Sequence, residues 1–251
     1  WKIASGNDAG LFQINSATGE ITLTGKAAAD YESATKSYTL TVSGNDSAPV
    51  PLTSTGGTVT INVTDLNDNA PVVSSAAAAN VAENAKITDV VYQATATDAD
   101  VTPATITYTL AGDDAGLFTL TKAGALTFNA VPNFEAAADK GGDNVYNVTI
   151  TANDGLNNSA VAQPVAITVT DTNDVAPAFV APVIPIATIP ENTTAVATLA
   201  ATDGDGTAPN KVVTYTLTGD DAAQFSISAA GVIAAVTGGL NFEAPSSKAG
   251  T

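Results

Sequence analysis

Residues 106–128 read Ile106-Thr107-Tyr108-Thr109-Leu110-Ala111-Gly112-Asp113-Asp114-Ala115-Gly116-Leu117-Phe118-Thr119-Leu120-Thr121-Lys122-Ala123-Gly124-Ala125-Leu126-Thr127-Phe128. Apolar and polar side chains alternate through 106–110, and again in Phe118-Thr119-Leu120 and Leu126-Thr127-Phe128. A period of two belongs to strands with one buried face. The two short runs flanking Gly124 predict a hairpin, and the same figure stands at Phe12-Gln13-Ile14 and Ile21-Thr22-Leu23 around Gly19. Further alternating runs follow at Tyr146-Asn147-Val148-Thr149-Ile150 and Val165-Ala166-Ile167-Thr168-Val169. Gly, Asn, Asp and Pro clusters separate them, as turns require. The Ala runs, Ala76 to Ala79 and Ala136 to Ala138, are too short to nucleate a helix and read as loop or short turn.

The same stretch recurs. Gly112-Asp113-Asp114-Ala115-Gly116-Leu117-Phe118 stands 106 residues after Gly6-Asn7-Asp8-Ala9-Gly10-Leu11-Phe12 and 107 before Gly219-Asp220-Asp221-Ala222-Ala223-Gln224-Phe225. Asp65-Leu66-Asn67-Asp68-Asn69-Ala70-Pro71 returns after 106 residues as Asp171-Thr172-Asn173-Asp174-Val175-Ala176-Pro177. A unit of this length is a whole domain, whereas solenoid repeats run to about 20–50 residues. Cutting at Asn-Asp-x-Ala-Pro predicts units over 1–70, 71–176 and 177–251. The middle one is expected to be complete, the others to lack strands at their outer ends, as in an excerpt of a longer chain. About seven short strands per unit predict an all-β chain of tandem antiparallel Greek-key sandwiches of immunoglobulin-like size. Trp1, in the strand-like run Trp1-Lys2-Ile3, is expected in a core.

Composition narrows the chemistry. The chain of 251 residues carries 8 Lys+Arg against 25 Asp+Glu, a formal charge of −17, so nucleic acid is not an expected partner. It has no Cys and no His, which removes disulfides, thiol nucleophiles, zinc fingers and the commonest general base. No apolar run approaches the roughly 18–20 residues of a membrane helix, and no signal-peptide pattern opens the chain, so no membrane insertion by this segment is expected.

The acids repeat with the units. Glu83 and Glu191 precede Asn84 and Asn192; Glu32, Glu135 and Glu243 each follow an aromatic residue; Asp98-Ala99-Asp100 matches Asp203-Gly204-Asp205, and Asn45-Asp46 matches Asn153-Asp154. A single Asp-x-Asp is usually a solvated turn. A whole set of carboxylates recurring in register points instead to a cation that offsets their repulsion. Oxygen donors without His or Cys select Ca²⁺ or Mg²⁺. Calcium, with 6–8 oxygens in loose geometry, suits ligands drawn from several loops better than the tight octahedron of Mg²⁺. The EF-hand pattern is missing.

In order and spacing these motifs resemble the cadherin repeats. Ala82-Glu83-Asn84 is similar to the family's Pro-Glu-Asn, Asp98-Ala99-Asp100 to its Asp-x-Asp, Asn133-Phe134-Glu135 to its Asp-x-Glu, Ala152-Asn153-Asp154 to its Ala-x-Asp, and Asp171-Thr172-Asn173-Asp174 to its interdomain Asp-x-Asn-Asp-Asn. The resemblance implies several calcium ions between repeats. At the first junction it assigns Asp30, Glu32, Asn67, Asp68 and the Asn69 carbonyl, with Asp98, Asp100 and Asp154 from the next unit. At the second it assigns Glu83, Glu135, Asn173, Asp174 and the Val175 carbonyl, with Asp203 and Asp205; further main-chain ligands fall near Pro103 and Asn210. In the family arrangement the second Asp of Asp-x-Asp bridges two ions, which sets Asp100 above Asp113 and Asp114 of the Gly-Asp-Asp turn. Three departures follow. Asn133 and Asn241 replace the family's Asp and predict a weaker outermost ion at the second junction; the first junction lacks its Pro-Glu-Asn glutamate and the second its Ala-x-Asp aspartate; Val175 replaces Asn, a change expected to be neutral.

The function the resemblance implies is a calcium-stiffened rod segment of a repetitive, extracellular cell-surface adhesion protein. Its expected partners are other copies of itself, as in homophilic adhesion, or another surface protein or glycan. The scarcity of Arg, Cys, Met and His suggests a bacterial adhesin. Alternatives are a calcium-dependent carbohydrate-binding module and a subunit of an extracellular filament or sheath built by donated strands. Paired carboxylates can hydrolyse glycosides, but pairs duplicated in every linker do not make one active-site cleft, and no enzyme is expected.

Overall fold

The computed structural model describes residues 1–26, 29–101, 105–180, 188–236 and 240–241. The expectations on Pro103, Phe242 and Glu243 lie outside them. In order, the strands are β1 (Lys2–Ser5), β2 (Phe12–Ile14), β3 (Ile21–Leu23), β4 (Ser37–Ser43), β5 (Gly57–Asn62), β6 (Val72–Val73), β7 (Ala78–Ala82), β8 (Tyr92–Gln93), β9 (Ala96–Thr97), β10 (Thr107–Ala111), β11 (Phe118–Leu120), β12 (Ala125–Phe128), β13 (Val145–Asn153), β14 (Gln163–Thr170), β15 (Ala178–Phe179), β16 (Ala195–Thr198), β17 (Ala201–Thr202), β18 (Phe225–Ile227) and β19 (Val232–Ala235). Single 3-10 turns at Ala115–Leu117 and Ala222–Gln224 are the only helical elements among the described residues. The chain is all-β.

The stretch from β6 to β14 forms a sandwich. One sheet runs β10-β13-β14-β7; the other is made of β11-β12-β8 and β6-β9, with only Ala94 and Thr95 between β8 and β9. Alternation puts Tyr146, Val148, Ile150 and Ala152 of β13 inward, beside Val165, Ile167 and Val169 of β14. Opposite them lie Tyr92, Phe118, Leu126 and Phe128. The Tyr146 ring meets Phe118 and Phe128 edge-on, at centroid distances of 5.8 and 5.2 Å. Leu126 and Ile150 are fully enclosed, each contributing roughly 1.5–3 kcal/mol by burial. The expected hairpin joins β11 to β12 in register, Phe118 opposite Phe128. Its Gly124 has φ +87°, and a β-carbon there would lie 2.6 Å from the Ala94 carbonyl oxygen, so the turn admits only glycine.

Three expectations need correction. Ala78 and Ala79 belong to a strand, β7, because the backbone of β14 pairs with it regardless of the weak β-preference of Ala. That pairing is parallel, Ala78–Ala82 beside Ala166–Thr170, so the sandwich is not wholly antiparallel. The entering chain first lies in one sheet as β6 and then crosses to the other as β7; the Tyr92 hydroxyl marks the crossing by bonding the Ala76 carbonyl at 2.6 Å. Trp1 is 54% exposed: its ring lies across Gly19 and Gly44, whose missing side chains leave a seat on the hairpin surface, and its amino group bonds the Ser16 carbonyl at 2.7 Å. Within the Gly-Asp-Asp turn, Asp114 is 3% exposed and accepts the Lys140 and Asn147 backbone N–H groups, both at 2.7 Å. It ties the 139–144 loop to β13. Asp139 pins the same loop through the N–H groups of Asp143 and Asn144.

Candidate metal centres

Among the described residues, three carboxylate groups gather where successive units meet, with ligand oxygens within 4.8 Å of one another: Glu32, Asp65 and Asp100; Asp98, Asp100 and Asp154; Glu83, Glu135 and Asp171. Asp100 belongs to two of them. Local sequence explains the placement. In Asp98-Ala99-Asp100 the Asp98 side chain turns back to accept the Asp100 N–H at 3.0 Å, and Asp203 does the same for Asp205 at 3.1 Å. Asp100 then accepts both the N–H and the side-chain amide of Asn69, at 3.1 and 2.8 Å, which draws the linker onto the next unit. In Asp154-Gly155-Leu156-Asn157 the aspartate accepts the N–H groups of Leu156 and Asn157. The Asn157 amide reaches the Asn67 side-chain oxygen and the Asn69 carbonyl, at 3.2 and 3.3 Å.

Glu83 is 3% exposed and takes the N–H of Phe134 on one oxygen and that of Thr172 on the other, at 2.8 and 2.7 Å. Burial acts to raise its pKa, but these donors outweigh it and hold the carboxylate below its ordinary range. Its neighbour Glu135 is pushed up by burial and by the charges of Glu83 and Asp171. Glu32 is likewise raised by burial, then by the side chains of Asp30 and Asp65. Asp171 is lowered, first by the Thr207 hydroxyl, then by the Thr207 N–H and the Asn210 amide. Asp154 is lowered chiefly by the Asn157 N–H.

The fit to a cation can be judged from oxygens that hydrogen bonds leave over. Buried carboxylate oxygens of Glu32, Asp98 and Asp154 at the first junction, and of Asp171 and Asp205 at the second, have no hydrogen-bond partner. Buried anionic oxygens without donors are costly, and a cation removes the cost. With only carboxylate, amide and carbonyl oxygens present, the donor set fits Ca²⁺.

The remaining assigned residues are placed as follows. Asp30 lies beside the first group and accepts the Glu32 N–H at 2.9 Å. Asp68, Asn173 and Asp174 are exposed and outside the groups, Asp68 bonding the Asn69 amide and Asp174 the Asn84 amide. Asp203 and Asp205 are in none of the groups; Asp205, fully buried, accepts the Val175 N–H at 3.0 Å. Asn133 spends its side-chain oxygen on the Ala136 N–H. Val175 is not a neutral replacement: Asn69 gives Asp100 a second donor, and Val175 has none for Asp205. Sequence reasoning quoted Asp65 and Asp171 as repeat markers but left them off the ligand set. Their signal was the 106-residue recurrence immediately after an alternating strand. Asn157 carried no signal.

No family model matches the chain. It is 35% identical to mouse Protocadherin Fat 4 over 184 residues, covering 71% of this chain and 4% of the relative. It is 32% identical to mouse Cadherin EGF LAG seven-pass G-type receptor 2 over 237 residues, covering 91% and 8%. Among solved structures, mouse Cadherin-23 EC22-24 superposes with a TM-score of 0.62 at 27% identity, covering 90% of this chain and 71% of that one. A Protocadherin gammaB7 EC3-6 cis-dimer structure gives a TM-score of 0.74 at 24% identity, covering 96% and 59%. These are tandem cadherin repeats. The segment spans under a tenth of its curated relatives' length. These relatives are animal proteins, and they lend no support to a bacterial origin for these repeats. Among the described residues no helix is long and apolar enough to cross a membrane.

Proposed function

We propose that this segment is a calcium-binding rod section of an extracellular, cell-surface adhesion protein, built of units 1–70, 71–176 and 177–251 and stiffened where they meet. The observation that carries the reading is Asp100, a carboxylate common to two acid groups at one junction, with undonated oxygens of Glu32, Asp98 and Asp154 around it. At the first junction Glu32, Asp65, Asp98, Asp100, Asp154 and the Asn69 carbonyl would hold the ions. At the second, Glu83, Glu135 and Asp171 would do so, with Asp203 and Asp205. Extracellular calcium modules bind with dissociation constants of roughly 10⁻⁴–10⁻³ M, so the sites would fill outside cells and empty in a cytosol. Bound ions cancel the mutual repulsion of the acids and make each junction a stiff joint. Among the described residues the acid groups recur at both junctions instead of gathering in one cleft, which supports a mechanical and adhesive role. A second copy of the chain is the favoured partner, by analogy with the cis-dimer of the protocadherin neighbour.

The test is small-angle scattering with calcium and with EDTA. A maximum dimension that grows and a profile that stiffens with calcium supports the reading; identical profiles overturn it.

A further inference from the structure

The two junctions are not built alike. The second unit reads Asp98-Ala99-Asp100-Val101, where the third reads Asp203-Gly204-Asp205-Gly206. The glycines are occupied by neighbours. A β-carbon on Gly206 would lie 2.3 Å from Phe134 Cε1 and 2.7 Å from its Cδ1, and one on Gly204 would lie 2.7 Å from Val175 Cγ1. The Phe134 ring and the Val175 side chain therefore rest directly on the backbone of the next unit's loop, and a β-carbon at either glycine would push them off that seat. Phe134 is held for this contact. Its N–H is bound by Glu83 and its carbonyl by the Asn144 amide, at 2.8 Å each. Beside it the Thr207 N–H bonds Asp171 at 2.8 Å, and the Val175 N–H bonds Asp205.

At the first junction the counterpart of Phe134 is Tyr31, and those of the glycines are Ala99 and Val101. The Tyr31 ring faces Lys36 of its own unit, with the ammonium 4.1 Å from the ring centroid. Val101 and Ala99 carry the β-carbons that would displace such a seating.

We infer that the second junction is a joint locked by the apolar seating of Phe134 and Val175 on Gly206 and Gly204, and keeps its alignment without calcium, while the first is the calcium-dependent hinge. The inference rests on the calcium reading for the first junction only. The rod would then soften at one place as calcium falls, moving units two and three together.

The test uses the whole chain, which has no native cysteine, with spin labels at the equivalent exposed positions Gln13→Cys, Thr119→Cys and Ser226→Cys. Distance distributions are compared in calcium and in EDTA. In EDTA the 13–119 distribution is expected to broaden at least about twofold, and the 119–226 distribution to keep its calcium width. Gly206→Val, and separately Phe134→Ala, are expected to broaden 119–226 in EDTA, with calcium narrowing it again. Equal broadening of both pairs in the unsubstituted chain overturns the inference, and so does a 119–226 width in EDTA that neither substitution changes. A 13–119 width indifferent to calcium counts against calcium stiffening itself, and leaves the 119–226 comparison to decide the apolar lock.

Discussion

Replacing Asp100 by Ala removes the carboxylate that two acid groups share. Without calcium, two effects oppose each other. The bonds from the Asn69 N–H and amide are lost, each of a kind worth about 1.5–3 kcal/mol. Repulsion is also relieved: with ligand oxygens up to 4.8 Å apart, one like-charge pair such as Asp98 and Asp100 costs roughly 3.5 kcal/mol at an effective dielectric of about 20. Asp100 faces four such carboxylates, Glu32, Asp65, Asp98 and Asp154, so the relieved repulsion is at least as large as the lost bonds, and the calcium-free stability should not fall. With calcium at 100 times the dissociation constant each site adds about 2.7 kcal/mol, and losing both sites that Asp100 serves removes about 5 kcal/mol. Asp113 is the control, an exposed carboxylate paired to Lys140 at 2.7 Å on the surface, where such pairs contribute little. Urea unfolding of the parent chain, Asp100→Ala and Asp113→Ala, in saturating calcium and in EDTA, measures the calcium-dependent gain. Asp100→Ala should lose most of it and Asp113→Ala almost none. Equal gains in the two variants would refute the sharing of Asp100 between ions.

Other outcomes are fixed by neighbouring groups. Asp114→Ala strands two backbone donors and should cost about 3 kcal/mol with or without calcium, read by the same urea titration. Asp139 is opposed by burial, yet the N–H groups of Asp143, Asn144 and Gly142 hold its pKa below the ordinary value. Its folded pKa being depressed, its stabilisation is present above the usual carboxylate range and lost as pH falls through the folded pKa. Thermal melts should therefore show Asp139→Asn destabilised at pH 7 and converging on the parent chain below about pH 4. Leu126→Ala leaves a cavity in the core of the middle sandwich and should cost about 2–5 kcal/mol, with calcium affinity by calorimetry unchanged. Asn69→Val removes the amide donor to Asp100 and should lower calcium-free stability by about 2 kcal/mol, measured in EDTA.

The strands around Phe118, Leu126, Tyr146 and Ile167 were legible because one face of each is buried, which writes a period of two into the residues themselves. The hairpin turn was legible for a similar reason, since Gly124 alone fits its backbone. Other features had no local trace. β7 takes its strand conformation from β14, 88 residues away, and alanines record nothing of that pairing. Asp114 and Asp113 are adjacent and identical in type, yet the loop at 139–144 buries the first and leaves its neighbour in solvent. The acidic set showed through recurrence, which is why Asp98, Asp100 and Asp154 could be named before their distances were known. The seating of Phe134 could not be read this way, because it depends on what Gly206 lacks and on a residue some seventy positions earlier.

The parallel pairing of β7 with β14 decides how the middle unit resists being pulled. Beyond the short β6, the entering chain's β7 and the leaving strand β14 lie side by side and run in the same direction, so tension applied along the rod drags one past the other. Every bridge between Ala78–Ala82 and Ala166–Thr170 is then sheared at once. Had the two strands been antiparallel neighbours with both ends at one edge, the bridges would break in succession, each at a small force. The unit therefore yields late and abruptly, and a stretched rod takes up its extension first at the linkers.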